Sequence, residues 1–258
     1  MSIDLATRMV GAEILKLRRN RTIMAVAWLL TFGVAAITFG YDAIQHASNP
    51  ALNPPAGGLL GFGRAVKALG LYFALLAAAL VGTEAGTADI SSGVFRDLVA
   101  TGRSRWALFG VRAPAAILVT FTLTGATFLV SVALSFLLAG GQPAPGLSLI
   151  LESAGWILLC NAVVCAFAVG VGSLTGSRGA TLVAVIGWQT VATELLLHIS
   201  SLGSARDWLL TAGLGQLMPV PGDVAGISMA SGLAIAVVAA WAVVPTVLGI
   251  WRTQTTDA

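Results

Sequence analysis

Apolar residues along this 258-residue chain fall into six long runs, separated by shorter polar or irregular stretches. A helix needs about 20 consecutive, mainly apolar residues to cross a bilayer. We therefore predict an all-α integral membrane fold with six transmembrane helices, in a single transmembrane domain over 1–258. The predicted spans lie at about 22–41, 65–83, 106–139, 147–172, 180–199 and 232–251.

The segment before the first span has a different pattern. Its apolar residues recur every three or four positions, and most of its charged residues lie off that stripe, which is typical of an amphipathic helix lying in the membrane interface. We predict this interfacial helix over 1–21, with a basic cluster at 16–21 that anchors lipid headgroups and sets topology. Glu13, on the border of the stripe, is either solvated or paired. The predicted interfacial anchors are Glu13, Lys16, Arg18 and Arg19.

A polar, basic island at 82–105 separates the second and third runs. Within it an apolar set recurs at helical spacing, which predicts a short amphipathic helix suited to docking a partner. Asp89, Ser91 or Ser92 is a candidate N-cap, and Gly102 a candidate left-handed C-terminal residue. The apolar set is Val94, Phe95, Leu98 and Val99.

The remaining links are short or irregular. The stretch 42–64 is rich in Pro, Gly and Asn, which predicts a loop with little regular structure. Pro114, near the start of the long third run, either kinks the helix or marks its start. The stretch 200–231 mixes apolar residues with Pro and Asp, and we expect it to lie on the membrane or to dip into it.

Composition and charge support this reading. Only 10% of the residues are charged and 57% are hydrophobic, whereas a soluble domain carries roughly 25% charged residues. Eleven Lys and Arg residues fall on the predicted side of the termini and three on the other. The positive-inside rule then places both termini and the island in the cytoplasm of a cell-membrane protein. The net charge of +3 follows from these topology signals, so we predict no nucleic-acid partner.

Catalytic and metal motifs are missing from the sequence. The two lysines, Lys16 and Lys67, do not follow a glycine, so the chain has no phosphate-binding P-loop. Only His46 and His198 are histidines, and no zinc signature occurs. We predict no enzyme, no metal and no cofactor in this chain. Cys160 and Cys165 read as small buried residues of one span.

Polar residues inside a span are costly and are functional candidates by default. Glu194 and His198, four residues apart, share a face of the fifth span with Thr190, and Gln189 lies beside them. They either line a substrate path or form an internally satisfied pair that fixes helix packing. Glu84, at the end of the second span, is on physical grounds alone a solvated interfacial carboxylate, with pairing to Arg96 or Arg105 as the alternative.

The chain resembles the permease subunits of ABC-2 type ABC transporters. The likeness rests on A-E-I-L-K-L-R-R at 12–19, on Glu84 closing the second span, and on S-G-V-F-R-D-L-V-A-T-G-R-S-R at 92–105. The last segment is similar to the family's Gly-Thr, apolar, Arg, Leu, Leu, then Pro-x-Ser-Arg pattern. Val94 stands where threonine is usual, and Gly102 where proline is common.

The resemblance implies an exporter half-channel. The segment 92–101 would be a coupling helix seated on a separate ATPase subunit, which carries ATP and Mg²⁺, and 1–21 the interfacial connecting helix. Two permeases, identical or related, and two ATPases would assemble, with the second and fifth spans lining the path. The implied coupling residues are Glu84, Gly93, Val94, Phe95, Arg96, Leu98, Val99 and Arg105; the path residues are Gln189, Thr190, Glu194 and His198.

Short outer loops and apolar spans favour a hydrophobic drug, a peptide or a lipid as the substrate. The rival hypotheses are a non-transporting membrane accessory or immunity protein that binds a partner, and an intramembrane enzyme, which the absent motifs disfavour.

Overall fold

The computed structural model describes residues 3–100, 102, 104–222 and 224–255, without the side chain of Arg96. Every regular element in these residues is helical. Six helical segments are long and apolar enough to cross a membrane, which confirms the predicted all-α, multi-pass membrane fold. These spans 1 to 6 are Arg21–Ser48, Gly58–Ser91, Arg105–Leu137, Leu147–Thr175, Arg178–His198 and Ser231–Thr255.

The N-terminal segment is an amphipathic helix, α1 (Ile3–Arg19). Leu17 is buried against the bundle, whereas Asp4 and Arg8 are exposed and paired with each other at 3.0 Å. Asn20 separates α1 from span 1, which is the helix α2 (Arg21–Ser48), and its side chain caps α2 by accepting a hydrogen bond from the Ile23 amide. The turn at Asn20 lets α1 pack along the bundle while α2 runs through it.

The predicted loop at 42–64 is wrong at both ends. Helix α2 continues to Ser48, and the next helix, α3 (Gly58–Lys67), has already begun at Gly58. Asn53 closes the end of α2: its side-chain amide donates to the carbonyl of Gln45, and its own carbonyl contacts His46 Nδ1 at 2.7 Å. These contacts hold Asn53 against the last turn of α2, and the irregular link is only 49–57.

Span 2 is longer than predicted in both directions. It consists of α3, a π-helical turn at Ala68–Tyr72, and α4 (Phe73–Ser91). The indole ring of Trp156 occupies the space that a side chain at Gly70 would take, next to this wider turn. Because α4 runs to Ser91, Glu84 lies within the helix instead of closing it.

Glycine contacts bring spans 2, 4 and 6 together at the centre of the bundle. Span 4 is the single helix α8 (Leu147–Thr175). A Cβ added at Gly82 would lie 2.8 Å from the Cys165 carbonyl oxygen, and one at Gly86 would lie 2.8 Å from that of Val169. On the other side of α8, Gly170 packs against the backbone of Pro245. Such close approach through small residues is how helices associate where no hydrophobic force acts between them.

Span 3 begins with a short helix between the predicted island and the long helix. The short helix, α6 (Arg105–Gly110), meets α7 (Arg112–Leu137) at a break at Val111. Pro114 lies in the first turn of α7, where its missing amide hydrogen has no helical partner to lose. It therefore marks the start of the long helix, one of the two predicted alternatives.

Span 5 and the stretch after it are the least regular part of the fold. The span consists of α9 (Arg178–Ile186), a π-helical segment at Gly187–Ala192 and α10 (Thr193–His198). A 3₁₀ segment, Ser200–Trp208, leads to α11 (Leu210–Gln216), which is buried from Leu210 to Gly215. The indole N–H of Trp156 donates to the Leu214 carbonyl at 2.9 Å, so this stretch dips into the bundle. Span 6 is the helix α12 (Ser231–Thr255).

Candidate functional site

Among the described residues, most ion pairs between separate helices lie at one end of the bundle, the end that carries α1 and the end of span 6. Arg105, at the start of span 3, donates through Nη1 to the carbonyls of Thr253 and Gln254 at 3.3 and 3.1 Å. Lys16 on α1 meets Asp89 at the end of span 2. We call this the termini end.

In the part of the chain that the structure describes, Asp89 is the centre of the largest charged cluster. It is 6% exposed, and it lies on α4 facing α1 and α7. Lys16 Nζ contacts Asp89 Oδ1 and Oδ2 at 2.9 and 3.0 Å, and also Glu13 Oε2 at 2.6 Å. Arg112 Nη2 contacts Asp89 Oδ2 at 3.4 Å. These four residues, Glu13, Lys16, Asp89 and Arg112, form the charged node; its formal charges sum to zero.

Arg112 connects the node to the short helix outside the bundle. Its side chain is fully buried, and Nη1 donates to the Gly86 carbonyl at 3.4 Å. The guanidinium carbon lies 5.3 Å from the centre of the Phe95 ring, within the range of a cation–π contact. Its Nε finds no hydrogen-bond partner among the described residues. A fully buried guanidinium is tolerated only when it is paired. Here its contacts link α1, α4 and α7 to the short helix that carries Phe95.

That fourth helix is α5 (Val94–Ala100), the predicted docking helix. Gly93 and Gly102 flank it with φ of +76° and +81°, and the Gly102 amide donates to the Val99 carbonyl. The predicted left-handed ending at Gly102 is thereby confirmed. The predicted cap is wrong: Asp89 lies inside α4, and the hydroxyl groups of Ser91 and Ser92 donate back to the Ala88 carbonyl.

The side chains of α5 differ in exposure to solvent. Val94 is 43% exposed and Asp97 is exposed, whereas Phe95, Leu98 and Val99 are half-buried towards the bundle. The Arg96 side chain lies outside the described part of the structure. The helix therefore has one face on the node and another that is open.

Glu84 holds a second polar contact, one and a half turns before Asp89 on α4. Its Oε1 accepts from the Asn20 side-chain amide at 2.8 Å, and its Oε2 pairs with Arg178 Nε at 3.5 Å. Arg105, one of the two predicted partners, points instead to the end of α12. Glu84 thus joins the starts of spans 1 and 5 to span 2.

The predicted interfacial anchors separate into two kinds. Glu13 and Lys16 belong to the charged node, so Glu13 is paired rather than solvated. Arg18 and Arg19 are exposed at the end of α1. Only the exposed pair is free to meet lipid headgroups in the way the sequence predicts for all four.

The structure spreads out the four residues predicted to line a substrate path. Gln189 is buried in the π-helical segment and donates through Nε2 to Thr211 Oγ1 of α11 at 3.0 Å. The Thr190 hydroxyl donates to its own helix at Ile186. His198 is exposed, and its Nδ1 contacts the backbone carbonyl of Glu194 at 2.8 Å, not the carboxylate. The π-helical turn changes the angular spacing, so Gln189 points inwards and His198 outwards.

The residues that sequence reasoning missed are Asp89, Arg112, Asn20 and Arg178. Arg112 entered the sequence argument only as a topology charge, and Asp89 only as a cap. Arg112 carried a signal, because it lies inside the predicted third span at 106–139, where an ionisable residue needs a partner. Asp89 carried none, because it lies outside the predicted second span.

Comparisons with known proteins add no relative. No protein-family model matches the chain, and a search of curated proteins finds no match. Among the described residues, no three His, Cys, Asp or Glu side chains come together as a metal site requires. The charged node and α5 therefore form the candidate functional site, on their geometry alone.

Proposed function

We propose that the chain is the permease subunit of an ATP-driven exporter of the ABC-2 type. The observation that carries the proposal is the contact chain from the open helix α5 through Phe95 to Arg112, Asp89 and Lys16. Helix α5 has one open face, which a partner protein can bind, and one face that contacts the charged node. A movement of α5 caused by the partner would therefore displace the membrane spans that the node joins.

In the proposed mechanism, the partner is an ATPase subunit seated on the open face of α5. Its closure on ATP and Mg²⁺ displaces α5, and the Phe95 ring moves against the Arg112 guanidinium. Arg112 is bound to Gly86 and Asp89 on α4, while Asp89 is bound to Lys16 on α1. The displacement then reaches α1, span 2 and span 3 together, because separating the buried Arg112 from Asp89 would leave the guanidinium without its carboxylate.

Glu84 on span 2 would couple the movement of this span to spans 1 and 5. Because it bonds Asn20 and Arg178, a tilt of α4 is passed to the starts of spans 1 and 5. Two permeases, with two ATPases, would enclose the path, and their relative tilt would open it for a hydrophobic drug, peptide or lipid. Gln189, Thr190, Glu194 and His198 stay predictions as path residues.

The proposed setting is the cell membrane with the termini end in the cytoplasm. Support comes from the distribution of basic residues, eleven on the side of the termini against three on the other. Arg18 and Arg19, exposed on α1, would lie at the level of anionic headgroups.

The experiment distinguishes binding of the ATPase to α5 from the coupling of ATP hydrolysis to transport. The chain is co-expressed with a Walker-motif ATPase encoded by an adjacent gene, and the complex is tested for co-purification, ATP hydrolysis and efflux. Val94→Asp places a charge on the open face, and we expect partner binding to fall by at least about tenfold, since an unpaired charge in an interface is costly. Val94→Thr is the matched control and should bind normally.

Phe95→Leu keeps an apolar side chain but removes the ring over Arg112. We expect normal partner binding with less transport per ATP hydrolysed. Retained binding in Val94→Asp would refute the docking face. An ATPase that binds through α5 while no substrate moves in any variant would favour the accessory-protein alternative.

A further inference from the structure

A polar cavity lies at the end of the bundle opposite the termini end. It measures about 280 Å³ and is lined by Tyr41, Asp42 and Gln45 of α2, by Asn53 and Pro54 of the link, and by Arg64 of α3. This volume lies just under the ~300–1,000 Å³ of pockets for drug-sized ligands. The cavity therefore suits a small polar group, such as a headgroup, better than a whole hydrophobic substrate.

In the Asp42 carboxylate of the cavity, only one of the two oxygens has a partner in the described part of the chain. Arg64 Nη1 contacts Asp42 Oδ1 at 3.0 Å, and the Asp42 side chain is 14% exposed. Its second oxygen, Oδ2, is buried and has no hydrogen-bond donor among the described residues. The nearby amides are engaged elsewhere: Asn53 Nδ2 donates to the Gln45 and Asn49 carbonyls, and Gln45 Nε2 to Tyr41 Oη at 2.9 Å.

The cavity also offers donors for an anion. Arg64 is 46% exposed, and a guanidinium has five N–H groups, of which the contact with Asp42 Oδ1 uses one side. Tyr41 Oη accepts from Gln45, which leaves the phenol hydrogen available to donate. The Asp42 carboxylate and the donors of Arg64 and Tyr41 thus line one small cavity, and a zwitterion requires both.

The surroundings favour an amphiphile over a free polar molecule. Two exposed residues of α2 lie at the cavity and next to it, since Tyr41 is 62% exposed and Ile37 is 68% exposed. Ile37 lies one helical turn from Tyr41 towards the middle of the span. A tyrosine at this depth is typical of the level of the headgroups, so acyl chains would continue from the cavity past Ile37 towards the middle of the membrane.

From this geometry we infer that the cavity binds the headgroup of a phospholipid with a primary ammonium, of the phosphatidylethanolamine type. The ammonium donates to Asp42, and the phosphate accepts from Arg64 and Tyr41. A choline headgroup has no N–H to donate, and a glycerol headgroup has no positive charge for the carboxylate. The site is separate from the charged node and does not depend on the proposed transport function.

The test measures lipid binding to the purified full chain by native mass spectrometry in detergent. Phosphatidylethanolamine, phosphatidylcholine and phosphatidylglycerol of equal chain length are titrated separately. We expect phosphatidylethanolamine to bind about fivefold more tightly than phosphatidylcholine, from one charge-assisted hydrogen bond in a half-exposed site. Asp42→Asn should abolish this preference, and Arg64→Gln should weaken all three lipids.

Two controls make the result decisive. Asp207→Asn removes another carboxylate, outside the cavity, and should leave the preference unchanged. Soluble phosphoethanolamine at the lipid's concentration should fail to displace the lipid, because it lacks the acyl chains. Equal binding of the ethanolamine and choline lipids by the unmodified protein, which needs no variant to fold, would overturn the inference. Displacement by phosphoethanolamine would overturn the lipid as occupant.

Discussion

The charged node should behave as a coupled unit in which Asp89 matters more than either cation. Asp89→Asn removes the carboxylate that Arg112 contacts and leaves a fully buried guanidinium. Arg112→Met, by contrast, leaves Asp89 with Lys16 at 2.9 Å. We therefore expect Asp89→Asn to destabilise the protein more than Arg112→Met does.

The structure sets the size of these effects. At 3.4 Å, two unit charges attract by ~5 kcal/mol at an effective dielectric constant of ~20, and the loss of hydration offsets much of this. Removing one partner of a buried pair typically costs ~3–5 kcal/mol, because the other charge stays buried without it. The double variant should cost less than the sum of the single ones, with a coupling of about 1–3 kcal/mol.

The assay is a double-mutant cycle on the purified chain in one detergent, with unfolding free energies measured by denaturant titration. The chain contains its own control: Asp4 and Arg8 form an ion pair of 3.0 Å whose side chains are 73% and 77% exposed. Asp4→Asn with Arg8→Gln should show a coupling below about 0.5 kcal/mol. An Asp89–Arg112 coupling as small as that of this exposed pair would contradict the buried ion pairing of the charged node.

Two further predictions concern the centre of the bundle. Gly82→Ala should destabilise the chain by about 1–3 kcal/mol, because the added methyl group would lie 2.8 Å from the Cys165 carbonyl oxygen in α8. Gly125→Ala is the matched control, since it meets no atom within 4 Å, and it should leave stability unchanged or raised; equal losses in both would contradict the close packing. Cys160 and Cys165 are fully buried, so a thiol-reactive maleimide dye should label them only as the chain unfolds on heating. Rapid labelling at low temperature would show that α8 is not packed as described.

Hydropathy and helical spacing were sufficient for the six spans, for the amphipathic α1 and for α5. These features depend only on the local sequence. An apolar run long enough to span the membrane must be helical, because its backbone N–H and C=O groups have no other hydrogen-bond partners in lipid. Apolar residues at spacings of three and four determine which face of a helix is apolar. The role of Gly102 was also predictable, because the left-handed backbone conformation that follows α5 depends on glycine alone.

Local signals failed where a distant residue decides the conformation. Polar residues at 42–48 and 84–91 read as the ends of spans, yet both stretches are helical. Asp89 read as a cap and is instead the centre of an ion cluster whose partners lie 73 and 23 residues away along the chain. The π-helical turns also contact distant residues: the Trp156 ring lies against Gly70 in the first turn, and the Gln189 side chain in the second donates to Thr211.

Apolar runs and helical spacing are enough to predict a six-span, all-α membrane protein with an amphipathic N-terminal helix and a short helix between spans 2 and 3. Which polar groups meet is visible only in the folded chain: Asp89 with Lys16 and Arg112, Glu84 with Asn20 and Arg178, and Asp42 with Arg64. The physical reason is that span formation depends on the transfer of consecutive residues from water, a property of the local sequence. The pairing of a buried charge depends on the position of the neighbouring helices, which residues far apart along the chain set together.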